Sequence, residues 1–452
     1  MTTLRLHSID VLATMAGPEI RDGAVFIRDG WIEQVGTSTE VSGVADESVD
    51  LSGHVVLPGL VNTHHHLWQT LARAVPAAQD AELIGWLRAL FPLWERLTPD
   101  AIRVASRLGA AELALSGCTT VADHHYVWPN GCRIDDLVEG IGPVGLRAHL
   151  TRGAITQGSG RSVLPDPLTE QDDAVLAAVE HAVAEYHDPE PGSSLRVCAG
   201  PAAVLSMPAG ALRELADLAR ELGIGLHTHL AETPGEAERC LAATGRRPLD
   251  HLSALGLAGR DVWFAHAVHL ETAEIARLAE THTGVAHCPT SNMRLGSGIA
   301  PLRALSAAGV PVGLGVDGSA SNDTGHLLAE ARQAMLVARV AEALGPGADT
   351  PTLLGARDVL RLATRGGAEV LARDDIGSIE AGKAADIVAV DLRRPAFAGV
   401  HDPVAALVFC AVATVDHSWV QGRRIVEDGR LNTVDMDTLL TEHHTQTQGL
   451  MT

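Results

Sequence analysis

Three short aliphatic runs, far apart in the chain, end in residues that bind metals. Val55-Val56-Leu57-Pro58-Gly59-Leu60-Val61 runs into Asn62-Thr63-His64-His65-His66-Leu67. Leu226-His227-Thr228-His229-Leu230-Ala231-Glu232 carries two histidines and a glutamate, and Val312-Gly313-Leu314-Gly315-Val316 ends at Asp317. Parallel strands buried on both faces read as continuous apolar runs of this kind. When parallel strands close into a barrel, their carboxyl ends share one mouth, so residues distant in sequence converge there. Side chains alternate along a strand with period two, which places His64 and His66 on one side and His65 on the other. His65 is therefore expected in the packed core. The imidazoles of His64, His66 and His229 with the Asp317 carboxylate suit zinc, with a further position open to water.

The rest of the middle of the chain repeats the pattern. Strand candidates end near Thr63–His66, Ala122–His125, Leu150–Gly153, Ala199–Pro201, His229–Glu232, Ala265–His269, His287–Thr290 and Gly315–Gly318. Stretches with apolar residues at three- and four-residue spacing, such as Ala209 to Leu222 and Thr272 to Thr281, predict helices between them. Strand-then-helix units repeated eight times predict a (β/α)8 barrel over residues 58–369. An open doubly wound sheet would want a glycine-rich loop after its first strand, and histidines stand there instead. Both ends of the chain read as short strands. Ala24–Ile27 and Trp31–Val35 flank Arg28-Asp29-Gly30, a hairpin signal, and Ala385–Val390 and Ser418–Val426 repeat the style, the latter with a turn at Gly422. Residues 1–57 and 370–452 are expected to build one small β-sandwich domain. The stretch from Ala74 to Pro99 is longer than one connection needs and is expected to act as a lid at the mouth.

Composition narrows the partners. A net charge of -22 opposes nucleic acid and anionic membrane surfaces alike, and favours a small neutral ligand. Cys118, Cys132, Cys198, Cys240, Cys288 and Cys410 are scattered without a Cys-x-x-Cys pair, and read as reduced, mostly buried thiols. The opening Met-Thr-Thr-Leu-Arg-Leu-His lacks a basic-then-apolar signal, and no run of about twenty apolar residues is present. A cytoplasmic location is expected.

A divalent metal at His64, His66, His229 and Asp317 makes hydroxide available at neutral pH by lowering the pKa of bound water to near 7. Glu232, three residues after His229, is placed to carry a proton from that water to a leaving or ring nitrogen. Asp317 has a second role open to it, as acceptor of the water proton. His266, in Phe264-Ala265-His266-Ala267-Val268-His269, is expected to stabilise developing negative charge, and is preferred to His269 because it lies deeper in its strand. Gln69 offers both a donor and an acceptor to a ring carbonyl and ring N–H. Trp86, in the expected lid, suits stacking on a flat ring or packing within its helix. His125 and Arg152, at the ends of the second and third strands, are the remaining candidates for contact with the ligand. His282 and His287 are read as structural.

These motifs together resemble the amidohydrolase superfamily. The resemblance rests on Leu57-Pro58-Gly59-Leu60-Val61-Asn62-Thr63-His64 and His64-His65-His66-Leu67, and on the His-Thr-His-Leu-Ala-Glu run from His227 to Glu232. It rests also on His287-Cys288-Pro289-Thr290-Ser291-Asn292, on Gly315-Val316-Asp317-Gly318-Ser319-Ala320-Ser321-Asn322-Asp323, and on Gly377-Ser378-Ile379-Glu380-Ala381-Gly382-Lys383. It covers nearly the whole chain and points to the branch of deaminases and chlorohydrolases acting on purines, pyrimidines and s-triazines. Such a resemblance implies the metal-bearing barrel with a small β domain. Many members bridge two metals with a carboxylated lysine on the fourth strand. Leu195-Arg196-Val197-Cys198-Ala199-Gly200-Pro201 has none, and the chain's one lysine, Lys383, lies outside the barrel, so one metal per chain is expected. The resemblance implies Zn2+, with Fe2+ the alternative. It implies hydrolytic deamination of a free oxidised purine base such as 8-oxoguanine, giving urate and ammonia. An s-triazine chlorohydrolase or aminohydrolase and a guanine-type deaminase are the alternatives. A non-catalytic barrel serving as an assembly module would be expected to lose ligands, and all four are present. A homo-oligomer is expected.

Overall fold

A computed structural model of the chain describes residues 2–158, 165–344, 353–410 and 413–451. Eight parallel strands close into a barrel: Leu60–Asn62, Cys118–His125, Arg147–Ala154, Leu195–Pro201, Gly225–Leu230, Val262–His266, Gly284–His287 and Val312–Leu314. Each of the eight strand ends expected from the sequence lies on or just past one of them. The short first and eighth strands meet at Asn62 and Leu314, where the Thr63 N–H donates to Leu314 O at 2.9 Å. Their apolar character follows from position, since every residue of the second and third strands is buried.

Helices ring the barrel, each laying one apolar stripe on it. Ala209–Glu221 buries Leu212, Leu215, Ala216 and Ala219, and Thr272–Thr281 buries Ile275 and Leu278, the three- and four-residue spacing of one helical face. All six cysteines are free, five of them buried. Among the described residues no helix is long and apolar enough to cross a membrane.

The two ends of the chain build a single nine-stranded sheet. His54–Pro58, just before the first barrel strand, lies between Thr3–Leu12 and Ile387–Asp391, pairing parallel with the former and antiparallel with the latter. The expected hairpins are present, Ile20–Arg28 with Trp31–Thr37 and His417–Val420 with Arg423–Glu427. Both turn through two residues with positive φ, Asp29 (49°) with Gly30 (83°) and Gln421 (48°) with Gly422 (74°), the backbone that matches strand twist and that glycine adopts without strain.

The sheet is locked to the amino-terminal end of the barrel by one buried ion pair. Arg147, first residue of the third barrel strand, holds Asp386 with two hydrogen bonds, Nε to Oδ2 at 2.7 Å and Nη2 to Oδ1 at 3.0 Å. It also donates to Ser193 O at 3.0 Å, and the Gln421 N–H donates to Asp386 at 2.8 Å. Removing one partner strands a buried charge, which costs about 3–5 kcal/mol, whereas replacing both with apolar residues is close to neutral. Asp386→Ala is therefore expected to lower the unfolding free energy by about that amount, and the double change Arg147→Met with Asp386→Leu to recover most of it. Urea unfolding of the three proteins measures both.

Candidate metal centre and active site

His64 and His66 follow the first barrel strand, His229 lies within the fifth, and Asp317 stands three residues beyond the eighth. Their backbones are stitched together. The Asp317 N–H donates to His64 O at 3.1 Å, and the Asn62 side chain links Val316 N (2.9 Å) to His64 O (3.2 Å). The four side chains meet at one point. Asp317 Oδ1 is 3.2 Å from His64 Nε2 and 3.3 Å from His66 Nε2, and His66 Nε2 is 3.1 Å from His229 Nε2.

Hydrogen bonding decides which nitrogen of each ring is free. His66 Nδ1 lies 2.6 Å from the His124 carbonyl and His229 Nδ1 lies 2.6 Å from the Ala202 carbonyl. A carbonyl cannot donate, so both Nδ1 atoms carry the proton and both Nε2 atoms are bare. His64 reaches the same state through a relay. His227 Nδ1 donates to Trp263 O at 2.9 Å, so His227 Nε2 accepts from His64 Nδ1 at 2.8 Å, leaving His64 Nε2 bare. Burial holds all three imidazoles below their ordinary pKa, hence neutral. Three bare nitrogens and a carboxylate oxygen converging at these distances suit a shared cation. Metal bonds of about 2.0–2.1 Å in a tetrahedron separate their ligand atoms by about 3.3 Å, close to the distances seen here. The donor set fits one divalent ion.

Asp317 is fixed from the other side. Its Oδ2 accepts from Ser291 Oγ at 2.5 Å and Ser321 Oγ at 3.0 Å, and its Oδ1 accepts from Gly318 N at 2.7 Å. Two site residues sit in left-handed backbone, Asp317 at φ 63° and His266 at φ 72°. For residues other than glycine this costs roughly 1–2 kcal/mol each, and such strain concentrates at functional sites.

His266 ends the sixth strand with Nδ1 2.9 Å from Asn292 Oδ1 and Nε2 3.9 Å from Glu232 Oε2. Burial disfavours its charge, but Glu232 and Asp317 outweigh that and raise its pKa. One atom each from His64, His229, His266 and Asp317 lies within 4.8 Å of the others. Glu232 is buried beside them, and burial pushes its carboxyl up to about 7. Its N–H and that of Ala231 are both held by the Glu236 carboxylate, at 3.0 and 2.9 Å.

These groups form the floor of a cavity of about 300 Å³ with largely apolar walls. The helix Leu83–Trp94, inside the stretch expected as a lid, contributes Leu83, Ile84, Trp86 and Leu87. Trp86 is anchored by its indole N–H to Ala320 O at 2.9 Å, beside the Asp317 loop. Gln69 lines the wall with its Oε1 3.4 Å from Ala320 N and its Nε2 without a partner among the described residues. Ser206, Tyr126 and Arg239 add polar atoms.

Two of the expected ligand contacts lie off the cavity wall. His125 does not line the cavity: its ring lies 4.4 Å from both Trp68 and Trp128, and Nε2 donates to Val127 O at 2.7 Å. Strand alternation is the reason, since it turns the neighbouring His124 toward His66 and His229 instead. Arg152 is also absent from the wall. It pairs with Glu170, Nη1 to Oε2 at 3.0 Å, and lies 4.2 Å from the Trp128 ring centroid. His269 is tied to Ser297 O at 2.7 Å, outside the cavity lining. His65 is buried as expected, with neither ring nitrogen partnered among the described residues. His287 is likewise buried, and His282 caps the helix Thr272–Thr281 at φ 54°. The sequence reading missed His227 and the Ser291, Asn292 and Ser321 network. His227 was within reach: it stands two residues before His229, and the alternation that pairs His64 with His66 applies to it equally.

The amidohydrolase family model matches residues 55–425. The chain is 42% identical over 433 residues to the 8-oxoguanine deaminase of Pseudomonas aeruginosa, covering 95% of each. It is 38% identical to an isoxanthopterin deaminase from an unknown prokaryotic organism, covering 94% of this chain and 90% of that one. An atrazine chlorohydrolase from Arthrobacter aurescens, solved in complex with zinc, superposes with a TM-score of 0.93 at 32% identity, over 98% of this chain and 100% of that one. The protein belongs to the amidohydrolase family and is an enzyme of that family.

His227→Phe keeps a flat ring beside Trp263 but removes the acceptor for His64 Nδ1–H. Loss of such outer support typically weakens metal binding about 10- to 100-fold. That decrease is expected in a chelator competition assay, with the fold retained by circular dichroism.

Proposed function

We propose that the protein is a metal-dependent aminohydrolase that converts 8-oxoguanine to urate and ammonia. What carries the reading is the convergence of the His64, His66, His229 and Asp317 ligand atoms beside a buried Glu232 whose carboxyl is poised at about 7. His64, His66, His229 and Asp317 would hold a divalent ion, most simply Zn2+, which would supply a hydroxide nucleophile at neutral pH. Glu232 sits where a proton leaves the attacking water and returns to the ring nitrogen beside the amino-bearing carbon, then to the departing amino group. A carboxyl near 7 takes up and releases a proton with little penalty at the pH of the reaction. His266, held by Asn292 and with its pKa raised by its acidic neighbours, faces the charge that develops on the attacked centre. Asp317 serves as ligand and as second acceptor for the water proton.

The substrate follows from the walls and from kinship. Trp86 and the leucines of its helix give the cavity an apolar wall suited to a flat ring, and the unpartnered Gln69 amide offers a donor to a ring carbonyl. A neutral free base suits a chain of charge -22 better than a nucleotide does. The relative that deaminates 8-oxoguanine is alike over almost its whole length.

Glu232→Gln keeps the size of the side chain and removes its base. Turnover is expected to fall about 100- to 10,000-fold while elemental analysis still finds one metal per chain. Near-native turnover in that variant would refute the shuttle. For the substrate, kcat/KM is measured on one metal-loaded sample for 8-oxoguanine, guanine, isoxanthopterin and a chlorotriazine. 8-Oxoguanine is expected to lead, with guanine lower by about tenfold or more because a buried partner of the 8-oxo group is left unpaired. A leading triazine or pterin, or guanine equal to 8-oxoguanine, overturns the assignment and leaves the metal chemistry standing.

A further inference from the structure

A second cavity, of about 290 Å³, opens at the other end of the barrel, among the amino-terminal ends of the fourth, fifth and sixth strands. Its wall is anomalous in sign for a chain of net charge -22. Arg196, Arg220 and Arg260 line it with His149 and His187, and Asp261 is the one carboxylate among the described residues of the wall. Asp261 is already engaged, its Oδ2 3.2 Å from Arg220 Nε. Arg196 is half-buried and donates only to neutral groups, Ser193 Oγ at 3.2 Å and Pro189 O at 3.0 Å. Among the described residues neither Arg196 nor Arg260 has a carboxylate at ion-pair distance. His187 Nδ1 accepts the Val197 N–H at 3.1 Å, so its Nε2 carries the proton and is a third donor. His149 adds no acceptor, because its Nε2 is taken by Arg373 Nη1 at 3.4 Å.

A concave wall with two guanidinium groups that face no carboxylate, an imidazole N–H and a single carboxylate set against Arg220 is complementary to an oxyanion. We propose that this cavity binds phosphate, free or as the head of a small phosphomonoester, gripped by Arg196, Arg260 and His187. The volume exceeds that of phosphate itself, and Val197, Ile224 and Leu371 line the remainder. The inner wall includes Trp263, whose ring stacks on His227 at 4.4 Å and 11° and whose carbonyl holds that histidine. An anion here therefore rests on the residue that supports the relay to His64, yet it shares no contact with the catalytic cavity.

The test is isothermal titration of the metal-loaded enzyme with inorganic phosphate and, separately, with phenyl phosphate. One site per chain is expected. Arg260→Gln, at the exposed rim, and Arg196→Gln are each expected to weaken binding about tenfold or more, the loss of one charge-assisted hydrogen bond, with turnover unchanged. Tighter binding of phenyl phosphate identifies an esterified occupant; equal or weaker binding identifies free phosphate. Phosphate bound to the catalytic metal would instead compete with substrate and survive both substitutions. That outcome, or no binding to the folded wild-type protein, overturns the proposal.

Discussion

The position of one proton on each of three imidazoles governs the mouth of this barrel. The carbonyls of His124 and Ala202 receive Nδ1–H from His66 and His229, and the Trp263 carbonyl does the same for His64 through His227. Backbone carbonyls are well suited to the task. They cannot donate, they do not titrate, and the strand ladder fixes where they point. Burial then keeps the rings neutral, so that each Nε2 offers a lone pair rather than a charge to the point where they meet. A barrel whose strands slipped by one residue would present the wrong side chains and lose all three acceptors together.

A second network holds the acidic half of the site. Asp317 and His266 both occupy left-handed backbone that their side chains do not favour. The segments after the seventh and eighth strands supply what holds them there, Asn292 for His266 and Ser291 with Ser321 for Asp317. Glu330, on the helix Leu327–Leu344, ties the two segments together. It accepts from Thr290 N at 2.8 Å and from Asn322 Nδ2 at 3.1 Å. Asn322 in turn reaches Val316 O at 2.7 Å, one residue before Asp317. The strain is thus borne by buried polar bonds rather than by packing, which leaves the cavity side of both residues free.

Much of this was legible in the chain because buried parallel strands leave an apolar signature and the ligands sit at its end. The eight strands and the hairpins at Asp29-Gly30 and Gln421-Gly422 follow from pattern and turn chemistry alone. That two residues lie off the cavity wall has a physical cause as well. His125 and Arg152 were placed by their closeness to a strand end, but the side of the strand matters as much as the end. His125 faces Trp68 and Trp128, while Arg152 finds Glu170 on a segment that strand patterns do not position. Ser291, Asn292, Ser321 and Glu330 gave no periodic signal, since they act by reaching across loops whose contacts only the folded chain defines.

The two kinds of residue at the mouth answer to different physics, and that separates the reaction from its substrate. The chemical groups hang from strand ends and are tied to the backbone, so changing them disturbs the barrel's own hydrogen bonding. Gln69, Trp86, Ser206 and Arg239 reach the cavity from connecting segments and helices around it. Each polar contact of that kind is worth about 1–3 kcal/mol, and a mismatch that leaves one unpaired shifts preference by tenfold or more. Substitutions at those positions leave the strand-end hydrogen bonds of His64, His66 and His229 untouched.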